Sequence, residues 1–150
     1  MIDIEIDQSF QDLVDPISLE VVSNQVFSLT DTDPKSEFGL QVTGDDTLQQ
    51  LNLQYMGIDA PTDVLSFPVS FQNPDSGNPY LGDILISYPT AAHQAAASGH
   101  PPEEEVKLLL VHGLLHLLGY DHTTPEEKKA MWALQNSILA ALQIQARPTE

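Results

Sequence analysis

Apolar and polar residues alternate from the start of the chain: Ile2, Ile4 and Ile6 interleave with Asp3, Glu5 and Asp7. A period of two sends each set to one face, so this segment predicts a half-buried β-strand. The period then lengthens. Leu19, Val22, Val26 and Leu29 recur at helical spacing behind Asp15-Pro16, an N-cap residue followed by proline at the first helical position. After a polar loop from Asp31 to Lys35, alternation returns at Phe38, Leu40 and Val42 as a second strand. Gly44-Asp45-Asp46 opens a short helix carrying Leu48, Leu51 and Tyr55, with Gly57 as its terminator.

The second half repeats the mixture. Val64 to Phe67 predicts a third strand, closed by Pro68; the turn-rich stretch Gln72 to Pro79 follows, and Leu81 to Ser87 makes a fourth strand. Pro89 to Ser98 is alanine-rich and helical, broken by Gly99-His100-Pro101-Pro102. Glu103, Glu104 and Glu105 occupy the first turn of the next helix, where negative charge suits the macrodipole, and read as a solvated start. That helix runs to Leu118 and stops at Gly119. Thr124-Pro125-Glu126-Glu127 is a capping box for a last helix built on Met131, Leu134, Ile138 and Leu142, reaching about Gln143. The pattern predicts one α+β domain over residues 1–150, a mixed four-stranded sheet packed with about five helices. Residues 144–150 are expected to form a flexible tail.

Composition narrows the chemistry. Hydrophobic residues make up 41% of the chain, enough for a core, which excludes a wholly disordered acidic protein. There is no cysteine, so disulfides, zinc–thiolate sites and thiol catalysis are excluded, and any metal must sit on His, Asp or Glu. The chain opens without a basic region before an apolar run, and its longest apolar stretch, Leu108 to Leu118, is too short for a bilayer. A soluble, cytoplasmic protein without membrane partners is expected. Twenty-two acidic against five basic side chains give a net charge of −17, which argues against a basic stripe tracking nucleic acid.

Against this background the histidines stand out. His112 and His116 are four apart on a helix, so their rings share one face. Gly119 can take the left-handed conformation that ends the helix, letting the chain return His122 to the same point. Three neutral imidazoles suit zinc or a related divalent ion, with one coordination position open to a water whose pKa the ion lowers. A purely structural zinc would need a fourth ligand, for which Asp121 or a remote carboxylate is available. The spacing His-x3-His-x5-His also matches the metzincin layout, but those peptidases need Glu after the first histidine, and here Gly113 follows.

The string HGLLHLLGYDH resembles the signature of the YbeY family of bacterial metallo-endoribonucleases. LNLQYMGIDAPTDVLSFP, from Leu51 to Pro68, and LGDILIS, from Leu81 to Ser87, are similar to further family segments in the same order. The resemblance is strongest from Leu51 to His122. It implies a single-domain α+β metalloenzyme with one ion, zinc above others, on His112, His116 and His122. It also implies cleavage of single-stranded RNA, maturation of the 16S ribosomal RNA 3′ end, ribosome quality control and a cytoplasmic setting, with the ribosome or its proteins as partners. One position departs from the pattern. Where family members carry an arginine thought to serve catalysis or phosphate binding, this chain has Met56, which offers a phosphate no donor.

Other candidates carry two readings each. Asp83, among apolar neighbours, is either a site carboxylate managing a proton or a strand-end residue. Asp121 either orients a histidine or faces solvent. Ser66 and Thr62 are placed to donate to a phosphate or to support local backbone, and Asp63 to cap a turn. His93 and His100 read as surface residues, and Trp132 and Phe67 as core. Besides the RNA hydrolase, two functions fit the sequence. One is a metallohydrolase of another substrate class, favoured by Met56 and the charge. The other is a ribosome-assembly factor with a structural zinc and vestigial catalysis.

Overall fold

A computed structural model describes residues 2–147. The strands are β1 (Ile2–Ile6), β2 (Glu37–Thr43), β3 (Val64–Gln72) and β4 (Pro79–Ser87). The helices are α1 (Pro16–Leu29), α2 (Asp45–Met56), α3 (Tyr88–Ser98), α4 (Pro102–Leu117) and α5 (Pro125–Ala141), with a short 3-10 turn at Gln8–Phe10. The strands form one mixed sheet in the order β1-β2-β4-β3, with β1, β2 and β4 parallel and β3 antiparallel to β4. The expected α+β domain with a mixed four-stranded sheet and five helices is what the chain forms.

Strand parity sorts the side chains. Ile4, Leu40, Ile84 and Ile86 belong to the main core with α1 and α4, whose Val26, Leu110 and Leu114 are fully buried. On the other face Leu65 and Leu85 meet Leu48 of α2 in a small second cluster. α4 therefore runs through the middle of the fold, touching α1, α3, α5, β3 and β4. Gly113 is what lets it lie so close. A β-carbon there would stand 3.0 Å from Ile84 Cγ2 and 3.2 Å from Ser66 Oγ, so position 113 faces the sheet and has no room for a glutamate.

Several expectations shift at their edges. β3 continues through Pro68 to Gln72 because it is an edge strand, where a missing N–H costs no ladder bond, and a register irregularity between Pro68 and Phe71 absorbs the proline. Leu29, expected on the buried face of α1, is half exposed in its last turn. The flexible tail expected over residues 144–150 is corrected for its first part: Ile144 and Ala146 are buried in the main core. The apolar side chains after α5 fold back on the domain, and Gln145 N–H donates to Glu104 Oε1 at 2.6 Å. Residues 148–150 lie outside the described residues.

Candidate metal centre

α4 presents His112 and His116 one turn apart, both partly buried. Its end is shaped by Gly119, at φ 101°, which closes the helix while Tyr120 N–H donates to Leu115 O at 3.0 Å. The chain then turns back through Asp121, whose Oδ1 accepts from the backbone N–H of His122 at 2.8 Å. Thr124 accepts from Glu127 N–H and starts α5 immediately afterwards. The short turn between two capped helices holds His122 against the other two. One ligand atom from each of His112, His116 and His122 lies within 4.8 Å of the others. His112 Nε2 and His116 Nε2 are 3.1 Å apart. Two nitrogens bound tetrahedrally about 2.1 Å from one zinc ion are roughly 3.4 Å apart, so the pair is already near ligand spacing.

The surroundings keep these rings in a ligating state. Gln135 of α5 is fully buried, and its Oε1 accepts from His112 Nδ1 at 2.8 Å. That bond fixes the proton on Nδ1 and turns Nε2 toward the other histidines. Burial, and then the nearby rings of His112 and His122, push the His116 pKa down to about 4. His112 is likewise lowered, chiefly by burial. Both rings are neutral at neutral pH, as metal binding requires. Trp132 stands edge-on to His112 and His122, with centroids 5.6 and 5.5 Å away.

The histidines sit where two hollows meet. A groove of about 640 Å³ is lined by His116, Met56, Ser66 and Asp121, and a cavity of about 190 Å³ by Gln135, Trp132 and Glu105. His112, His122, Asp63 and Val64 line both. Of the other candidates from sequence, Met56, Thr62, Asp63, Ser66 and Asp121 thus share the groove with the histidines. Asp83 does not. Its parity on β4 is opposite to that of Ile84 and Ile86, so it points away from α4 and accepts a 2.6 Å hydrogen bond from Tyr80 Oη. Reading Asp83 as a site carboxylate is corrected on that ground.

Two further readings change. Glu105, expected in solvent, is 6% exposed, and burial raises its pKa against the lowering effect of His100. His100, expected on the surface, is mostly buried and bonds Glu105 Oε1 through Nε2 at 2.7 Å. Trp132, half-buried and packed against the main core, also lines the edge of the site. Asp63 does cap its turn, accepting from Val64 N–H at 2.8 Å. Gln135 carries no signal in the sequence beyond its place at an inward position of α5.

A family model described as "Endoribonuclease YbeY" matches residues 3–143. The chain belongs to the YbeY endoribonuclease family. A relative named Endoribonuclease YbeY from Dehalococcoides mccartyi is 41% identical over 125 residues, covering 75% of this chain and 73% of the relative. Another of that name from Heliobacterium modesticaldum is 39% identical over 145 residues, covering 90% and 84%. One from Parafrankia is 38% identical, covering 85% of each chain. The solution structure of TM1509 from Thermotoga maritima shares the fold at a TM-score of 0.58, over 100% of this chain and 99% of that one, at 22% identity. YbeY membership makes this an endoribonuclease-family chain, and the donor set just described suits a metal by its chemistry alone. Among the described residues no helix is long and apolar enough to cross a membrane.

Proposed function

We propose that His112, His116 and His122 hold one divalent ion, zinc above others, and that the chain uses it to cleave single-stranded RNA. The observation that carries this reading is the convergence of three imidazoles, two of them kept neutral by burial, at the wall of an open groove. The donor set is three nitrogens with no fourth His, Asp or Glu among the described residues, which fits a catalytic ion better than a structural one. When bound, the ion supplies Lewis acidity toward a phosphoryl oxygen and a nucleophile at neutral pH.

The chain's own groups do the rest. Gln135 orients His112, and Asp121 holds the turn that delivers His122. Asp121, exposed and on the groove, is positioned to take a proton during attack. Ser66 offers its hydroxyl to a phosphate oxygen from the groove wall. Met56, 54% exposed at the rim, fills the family arginine's place without a charge, so RNA affinity rests on the ion rather than on basic side chains. A net charge of −17 makes the same demand. A divalent ion provides local positive charge that a residue count omits. Docking on the ribosome, with maturation of the 16S ribosomal RNA 3′ end in the cytoplasm, is the setting the family membership favours. The test is cleavage of single-stranded RNA by the zinc-loaded protein beside His116→Ala. Loss of cleavage in the variant supports the reading; equal cleavage by both identifies a contaminating nuclease and ends it.

A further inference from the structure

The 190 Å³ cavity adjoins the groove that would carry the scissile phosphate, sharing His112, His122, Asp63 and Val64 with it, and the nuclease reading gives it no task. Its walls combine apolar surface from Val64, Leu108 and Leu109 with the aromatic ring of Trp132. The polar groups are more telling. Gln135 is 0% exposed, and while its Oε1 serves His112, its Nε2 has no hydrogen-bond partner among the described residues. A buried donor left unmatched is costly, and natural interiors rarely keep one without a reason. Glu105, bonded through Oε1 to His100, and Asp63, whose Oδ2 takes a long 3.4 Å hydrogen bond from Gln94 Nε2, add carboxyl groups. No lysine or arginine lines the cavity.

This chemistry selects an occupant. Two carboxyl groups with no lysine or arginine beside them give a phosphate no basic side-chain partner inside the cavity. A ribose has no flat face for the indole wall. A nucleobase has the flat apolar faces, carbonyl or ring-nitrogen acceptors for Gln135, and N–H donors for the acidic side chains. We propose that this cavity binds one base of the RNA strand, adjacent to the phosphate held at the histidines. The proposal rests on the nuclease reading for the identity of the ligand. It makes the enzyme read a base beside the cut, using amides and carboxyls rather than basic residues.

Trp132 is the single tryptophan of the chain and lines the cavity, so its indole N–H resonance reports occupancy directly. The four nucleoside 5′-monophosphates are titrated into the zinc-loaded protein, with ribose 5-phosphate as the base-free control. At least one nucleotide is expected to shift the indole resonance where ribose 5-phosphate does not. Gln94→Phe, which plugs the cavity from α3, weakens that binding by about tenfold or more, while Gln94→Ala, which widens it, keeps the shift. Zinc content and melting temperature, measured on both variants, confirm that each is folded and loaded. Equal effects of nucleotides and ribose 5-phosphate, or a shift that survives Gln94→Phe, overturn the proposal. Indole shifts without RNA cleavage uphold the base pocket and overturn the nuclease reading; cleavage without shifts does the reverse.

Discussion

On one face of the sheet, α4 and α5 hold His112, His116 and His122 beside buried Gln135. On the other, α2 packs on β3 and β4 and leaves a groove of about 490 Å³ among Asp3, Glu5 and Asp83. Both faces mix polar and apolar walls, and the acidic hollow is intermediate in volume between the 190 Å³ cavity and the 640 Å³ groove of the metal side. Their donors differ in kind. His112 and His116 are partly buried and held neutral, and Gln135 orients His112, so their lone pairs are available to an ion. The carboxylate of Asp83 is exposed and already accepts from Tyr80. Volume does not locate chemistry here; converging imidazole nitrogens do.

The contrast can be broken most forcefully at Gln135. Gln135→Leu keeps the shape but removes the acceptor that fixes the His112 tautomer, and zinc affinity should fall roughly 10–100-fold, measured by competition with a chelating dye. Unchanged affinity would make the amide irrelevant to the metal. A second effect concerns pH. Free histidine takes a proton near 6.5, whereas folded His116 does so only near 4. Between those values the unfolded chain binds more protons, so the stability of chelated protein should fall as pH drops from about 6.5 to 4. Urea midpoints across that range check this, and His116→Gln should flatten the slope; an equal slope in the variant would assign it elsewhere.

Gly113→Ala tests the packing that brings α4 to the sheet. Crowding Ile84 and Ser66 costs about 1–3 kcal/mol, offset by about 1 kcal/mol of helix propensity. A modest drop in melting temperature is expected, and a rise would show that the sheet yields easily. The smallest effect belongs to the opposite face. Asp83→Asn should leave zinc affinity and RNA cleavage by the isolated protein unchanged, with stability within about 0.5 kcal/mol. A large loss of cleavage would mean that the two faces are coupled.

Much of the metal-side face is legible in the chain itself. Both helix caps around the histidines, at Gly119 and Thr124, are written in local sequence, and so is the i, i+4 pair they frame. Asp83 shows where legibility ends. Its alternation with Ile84 and Ile86 puts it opposite the main core, but which face α4 covers depends on strand order, which local patterns do not encode. Gln135 and Glu105 escape for a related reason. Each lies on a helix whose own periodicity does not name its partner: Gln135 meets His112 only when α5 packs on α4, and Glu105 meets His100 only when the segment before α4 folds onto it. Glu105 is further disguised by its place in an acidic first turn, where solvation is the ordinary fate. The segment from Ile144 to Ala146 lacks any period long enough to read, and it is buried only because the domain offers it a surface.

The central claim is that three histidines bind one ion. X-ray absorption at the zinc edge of protein loaded with one equivalent measures this most directly. The account predicts a single tight site with three imidazole nitrogens at about 2.0–2.1 Å and a light-atom fourth ligand. A shell of oxygens alone, or the same spectrum from His116→Ala, would contradict it.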